Sequence, residues 1–390
     1  MKRIGFLTDS IFSFGGVQRV TAVIATALSK DYEVEIVTFD KPEEQDLTLY
    51  RLGDYPLTYI HVSYPQVSRL KTLGCKTYSY LYRKMLPQGG LTSDLYAHSS
   101  FPSERQQALA DLLRSRHYDV IIGVHAFLAI RLATIRKRVG GARTVGWIHN
   151  SFDALLRDGS PYLGKELRKH YGRQLQKLDA TVVLNQSDAD EYEKAFGYCP
   201  AVIANPLTLL PGKRSQGNSR RFLAVGRMAP QHKGFDLLVQ AFARFATSHQ
   251  DWQLDIVGDG PEHDALQQQI RECGMEGRIT LHPFTSNIQE YYSQAQVYVL
   301  SSRWEGFGLV LVEAMAHGVP VVSSDLPSSR DILGDEGIYF RNGDVADMAQ
   351  KMDLATHLDW DKASETAIRL AGRFDISNVI KQWKQLIEKV

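Results

Sequence analysis

Residues 3–39 read RIGFLTDSIFSFGGVQRVTAVIATALSKDYEVEIVTF. An apolar, β-rich run (3–7) gives way to a turn holding Gly15 and Gly16. A stretch with apolar residues at helical spacing follows, and then a second β-rich run (33–39). The side-chain period switches from two to 3.6 and back, which predicts strand, helix, strand. A parallel strand pair requires a long crossover, so this is a β–α–β unit and the fold class is α/β.

The same alternation continues outward. Further strand candidates are 57–62, 119–124, 143–149 and 180–185, with helical patterns between most of them. The stretch 201–219, AVIANPLTLLPGKRSQGNS, breaks the rhythm with prolines, glycines and polar residues and reads as a linker. A second series follows at 221–227, 252–258, 278–284, 297–302, 319–324 and 337–340. Beyond 343 the chain reads as helical, with a break at GRFD (372–375) before a last helix, 375–390. Two doubly wound parallel-sheet domains are expected, 1–205 and 206–374, with a cleft between their facing edges. Ligands of such sheets sit beyond the carboxyl ends of the strands.

Bulk properties narrow the function. A chain of 390 residues exceeds what one hydrophobic core usually serves. Lys plus Arg number 45 against 44 acids, and a net charge of +1 offers no general attraction to nucleic acid. Cys75, Cys199 and Cys273 are widely spaced, which speaks against a disulfide framework or a zinc site. The apolar run near the start is too short for a secretory segment, and no 18-residue apolar run occurs, so a cytoplasmic location is expected.

Three places carry chemistry. Gly15 and Gly16 stand between a strand and a helix, where a bare backbone and a helix N-terminus suit an anion; a loop needing positive φ is the plainer explanation. The pattern is not GxGxxG, which disfavours a dehydrogenase. Arg227 and Lys233, in VGRMAPQHKGF (225–235), follow a strand and can converge on a diphosphate, although solvated surface charge is the commoner reason for such a pair. Third, EGFGLVLVEAMAHG (305–318) places Glu305 in a glycine-relaxed loop and Glu313 inside a helix that is apolar on almost every side. An ionised carboxylate there needs hydrogen-bond donors, and ligand hydroxyls are expected to supply them.

Together FGGVQRV, VGRMAPQHKGFDLLVQAF, VGDGPEHDAL and EGFGLVLVEAMAHGVPVVSSD resemble the retaining family 4 glycosyltransferases (glycosyl transferases group 1) of the GT-B fold, which has two Rossmann-like domains. The glutamate pair matches that family's E-x7-E motif. The resemblance implies that Arg227 and Lys233 hold and stabilise the donor diphosphate. It implies that Glu313 accepts ribose hydroxyls and that Glu305 binds the sugar ring. The amides of Gly15 and Gly16, with Gly306, Phe307, Gly308 and Leu309, would close on phosphates and sugar, and the backbone at Pro283 and Phe284 would meet the base. His149 matches a histidine facing the donor sugar, and His125 sits at another strand end. The first domain would bind the acceptor, the second the donor, and the last helix would cross back onto the first domain. Front-face attack without a metal or other cofactor is implied, so Glu305 is not expected to be a nucleophile.

DAD (188–190) and DWD (359–361) each begin a helical pattern and read as caps rather than metal ligands. Two departures from the family pattern are Asp331 at an acidic position usually preceded by a glycine-rich turn, and Gln18 where many relatives carry glutamate. Residues 64–86 hold five basic residues, no acid and four tyrosines. That composition fits an anionic membrane surface, a strand edge or a solvated basic face. The expected function is transfer of a hexose or N-acetylhexosamine from a nucleotide diphosphate sugar, first of all a UDP-sugar. The acceptor would be a hydroxyl of a surface polysaccharide, a teichoic-acid-type polymer or a lipid-linked glycan, with work at the inner face of the plasma membrane. The rivals are a non-catalytic GT-B partner subunit and a GT-B nucleotide-sugar hydrolase or epimerase.

Overall fold

The computed structural model describes residues 1–209, 212–229 and 232–390. Leu210 and Pro211, inside the expected linker, and Pro230 and Gln231, inside the expected Arg227–Lys233 loop, lie outside the described residues. The chain divides into two units, Met1–Pro206 with Ile376–Val390, and Leu207–Asp375.

The first unit holds a seven-stranded sheet in the order β3-β2-β1-β4-β5-β6-β7. The strands are β1 (Arg3–Thr8), β2 (Glu33–Thr38), β3 (Thr58–His61), β4 (Val120–Val124), β5 (Arg143–Trp147), β6 (Ala180–Val183) and β7 (Ala201–Val202). All pairs are parallel, and β1 lies between β2 and β4. Strand β4 is buried along its whole length, as a central parallel strand covered on both faces must be. β7 falls within the stretch read as linker; at two residues it is too short to show a period.

The helix Ile376–Lys389 belongs to this unit. Trp383 meets Trp147 of β5 edge-on at 4.8 Å. At the surface Lys384 pairs with Asp31 at 2.6 Å and Lys2 with Glu388 at 2.9 Å. The fully buried Trp383 is the larger contribution, since exposed ion pairs are worth about 0–1 kcal/mol.

The second unit has six parallel strands in the order β10-β9-β8-β11-β12-β13. These are β8 (Arg221–Val225), β9 (Gln253–Val257), β10 (Ile279–His282), β11 (Val297–Leu300), β12 (Val321–Ser324) and β13 (Ile338–Phe340). Phe222, Phe242, Phe245 and Trp252 form an aromatic centre in which Phe222 and Trp252 stack at 4.7 Å. Truncating such a ring to alanine costs about 3–5 kcal/mol. In each sheet the strand order reverses at one place, between β1 and β4 and between β8 and β11. At such reversals the loops diverge and leave a crevice at the carboxyl ends.

One sequence reading is corrected here and another holds. Residues 69–84 are a helix, Arg69–Lys84, capped by the Ser68 hydroxyl, so the tyrosine spacing does not mark a strand edge. Tyr82 is buried and stacks on Tyr96 at 4.5 Å, leaving Tyr80 as the exposed tyrosine of the four. The acidic triplets do begin helices. Asp188 accepts from the amide of Phe152 (2.8 Å) and from Asn185 Nδ2 (2.9 Å), and Asp359 caps the helix Trp360–Ala371.

Candidate functional site

In the second unit, β8 runs into the loop that carries Arg227 and Lys233, and β11 into the loop that carries Glu305. Glycines let these loops approach their neighbours. A Cβ on Gly226 would sit 2.9 Å from Lys233 Cε, so its absence makes room for the lysine stem. Gly234 has φ +64°, and a Cβ there would strike the Ser301 carbonyl at 2.2 Å. Ser301 Oγ donates to the Lys233 carbonyl at 2.7 Å, and Arg303 grips Asp236 by two bonds of 2.9 and 2.7 Å. The two loops are therefore locked to each other.

At their centre Lys233 Nζ meets Glu305 Oε1 at 2.5 Å, with the side chains only 14% and 9% exposed. Ser302 Oγ donates to the same carboxylate oxygen at 2.7 Å. Burial pushes the Glu305 carboxyl up, but the charges of Lys233 and of the His232 side and the two hydrogen bonds outweigh it and hold it below the usual carboxylate range. Glu305 is thus ionised and committed to a cation. The imidazole of His232 stacks on Trp304 at 5.0 Å. Arg227 is exposed, and its guanidinium makes no ion pair among the described residues.

Gly308, at φ +95°, is the N-cap of the helix Leu309–Ala316, and Phe307 packs its ring on Phe374 at 5.4 Å. Glu313 lies in that helix at 2% exposure. Its donors come from the protein: the Thr208 hydroxyl at 3.3 Å on Oε1 and the Tyr292 hydroxyl at 3.0 Å on Oε2. The carboxylate that the sequence left needing donors thus has protein hydroxyls among them. Pro283 and Phe284 follow β10; Phe284 is 53% exposed, and its amide donates to Asp259 Oδ2 at 2.9 Å. Asp331 is half-buried in the helix Pro327–Leu333.

In the first unit, Gly15 and Gly16 are exposed at the start of the helix Gly16–Leu28. Gly15 has extended backbone (φ 178°), so positive φ is not why glycine stands there. A Cβ would lie 2.1 Å from Gln18 Oε1, the end of a flexible side chain that can turn aside, so space does not demand glycine there either. The Gly15 amide donates to the Tyr50 hydroxyl at 3.0 Å, so in this structure it is already engaged.

His125 follows β4 and His149 follows β5, with ring centres 5.4 Å apart. His125 adopts φ +74°, a left-handed conformation that costs a non-glycine residue of order 1 kcal/mol or more. His149 is 7% exposed and packs on Trp147 at 4.3 Å, and neither ring nitrogen has a hydrogen-bond partner among the described residues. Burial, and secondarily the neighbouring His125, drive its pKa well below 6.5, so it is neutral. Burial likewise lowers His125, with Asp9 opposing.

The structure thus brings Lys233, Glu305 and the Glu313 helix to one strand reversal, and the glycine turn and the two histidines to the other. Sequence reading missed Ser302, Thr208, Tyr292 and the Arg303–Asp236 clamp. Thr208 sits in the stretch read as linker, and Tyr292 looks like any helix-core aromatic.

Residues 14–209 match the family described as Glycosyltransferase Family 4, and residues 219–356 match Glycosyl transferases group 1. An uncharacterized glycosyltransferase of Haemophilus influenzae is 25% identical over 99% of this chain and all of its own length. A Campylobacter jejuni N-acetylgalactosaminyltransferase, which by its name acts on a diphospho-undecaprenol-linked sugar, is 24% identical over 86% of this chain and 84% of its own length. The chain spans only 24% and 38% of the length of two longer relatives. Among solved structures, Anabaena HepE in complex with UDP-glucose superimposes with TM-score 0.75 at 18% identity, covering all of both chains, which shows a shared fold.

Proposed function

The chain belongs to glycosyltransferase family 4 and has the GT-B fold; from that premise we propose that it moves a hexose or N-acetylhexosamine from a nucleotide diphosphate sugar, foremost a UDP-sugar, to a hydroxyl of a cell-surface or lipid-linked glycan, with retention at the anomeric carbon. One observation carries this reading: a buried, fully paired Lys233–Glu305 couple beside the exposed Arg227, all at one strand reversal. In the transfer the bond from the anomeric carbon to the diphosphate oxygen breaks and that oxygen keeps the electron pair. The acceptor hydroxyl forms the new bond on the same face, and its proton passes to the departing phosphate. Arg227 and Lys233 neutralise the charge that develops there, so no metal is assigned to the step. Glu305 fixes the lysine and reads sugar hydroxyls. Held ionised by Lys233 and bonded to Ser302, it is poorly placed to act as a nucleophile.

Glu313 would accept ribose hydroxyls, and the backbone at Pro283 and Phe284 would meet the base. The amides around Gly16, Gly306, Gly308 and Leu309 would approach phosphates and sugar. The neutral His149 has two polar atoms needing partners, and sugar hydroxyls supply both a donor and an acceptor. The first unit would bind the acceptor. Within it the helix Arg69–Lys84 exposes Leu70, Leu73 and Tyr80 beside Arg69, Lys76 and Lys84, which supports contact with an anionic membrane. No helix among the described residues is long and apolar enough to cross one.

The test is a thermal-shift screen of UDP-glucose, UDP-galactose, UDP-N-acetylglucosamine, GDP-mannose and the free nucleotides, followed by NMR of the product anomer. Stabilisation by one donor and by its nucleoside diphosphate is expected. An inverted product would contradict the stereochemical assignment.

A further inference from the structure

We propose a divalent-metal site at the edge of the second unit's sheet remote from the transfer chemistry, built by His249, Asp353 and His357. Asp353 lies in the helix Val345–Thr356, and His357 follows four positions later as its C-cap, so both project on one face. His249 follows the helix Phe235–Ala246, which packs against that helix. His249 Nε2 lies 3.1 Å from Asp353 Oδ1, and His357 Nε2 lies 3.7 Å from the same oxygen. The ligand atoms of all three fall within 4.8 Å of one another. Two tetrahedral zinc ligands at bond lengths of about 2.0–2.2 Å stand about 3.3 Å apart, so an ion fits between these atoms with little movement.

A second observation concerns how the His249 ring is held. His249 Nδ1 is 3.2 Å from the Phe245 carbonyl, which can only accept, so Nδ1 carries the proton. Nε2, the other ring nitrogen, is the one turned to Asp353 Oδ1. Backbone anchoring of the far ring nitrogen is also how ligating histidines are commonly oriented. The His249 ring is fixed further by stacking on Phe245, with centres 4.2 Å apart and planes 5° from parallel. Two imidazoles and one carboxylate suit Zn²⁺, with water as a fourth ligand.

The helix Phe235–Ala246 starts beside Lys233 and runs back along the sheet. At 1.5 Å per residue it places His249 about 20 Å from the paired cations. An ion there takes no part in glycosyl transfer; it ties the ends of two packed helices and stabilises the folded unit by mass action.

The experiment uses the full chain, stripped with EDTA and dialysed, titrated with Zn²⁺ by calorimetry and followed by thermal unfolding. We expect one saturable equivalent and a melting temperature raised by about 5 °C at a hundredfold excess over Kd. The exposed His357→Ala and, separately, His249→Asn should each weaken binding at least about tenfold and cut the rise to about half or less. Co²⁺ substitution reads the ligands directly, and nitrogen and oxygen ligation gives no thiolate charge-transfer band. Absence of saturable binding, isotherms unchanged in both variants, or a thiolate band would overturn the assignment.

Discussion

At the end of β11, Glu305 meets Lys233 and Ser302. At the end of β5, His149 meets aromatic rings and no hydrogen-bond partner among the described residues. Both groups are buried polar side chains at the carboxyl edge of a parallel sheet. One has its electrostatics completed by the protein, while the other is held neutral by burial. A buried donor or acceptor without a partner costs about 1–3 kcal/mol. Lys233–Glu305 is therefore set in place before any ligand arrives, whereas on the proposed function sugar hydroxyls would complete His149.

The largest consequence follows from breaking the completed couple. Lys233→Ala leaves Glu305 buried and unpaired, and should destabilise the second unit by about 3–5 kcal/mol in chemical denaturation. Adding Glu305→Gln to form the double variant removes the stranded charge and should restore most of that stability. A double variant no more stable than the single one would show that the couple is not what Glu305 depends on. Arg227→Ala separates chemistry from folding, because the residue is exposed. Turnover should fall about 10²-fold while stability stays within about 0.5 kcal/mol. Tyr292→Phe removes one donor that holds Glu313, and donor KM should rise about tenfold with a smaller change in kcat.

The smallest effect sharpens the other side of the comparison. His149 is depressed in the folded chain relative to its ordinary 6.5, so the unfolded chain binds the extra proton. Stability from this group is present above about pH 6.5 and declines as pH falls below it, by up to about 1.4 kcal/mol per pH unit. His149→Phe should flatten that decline without loss of stability at neutral pH. An unchanged slope would mean that His149 has a partner in solution.

The strand alternation and the positions of Lys233 and Glu305 were legible because each rests on local period or on glycine spacing, whereas the strand order with its two reversals is a long-range property. The helix Arg69–Lys84 was not, since its exposed basic face hid the 3.6 period under three tyrosines. β7 has too few residues for any period. The donors to Glu313 were illegible for a different reason. Thr208 is 105 positions away and Tyr292 is 21, and only the fold brings their hydroxyls to one carboxylate. Sequence identified the buried acid, but not who satisfies it.

The central claim is that two fixed cations, rather than a metal ion, stabilise the departing diphosphate. Its most direct test is turnover at saturating donor for wild type and Lys233→Ala, each with and without EDTA. The account predicts a drop of about 10²–10³-fold for the variant and none for chelated wild type. A variant that turns over normally, or a wild type silenced by EDTA and restored by Mn²⁺, would contradict it.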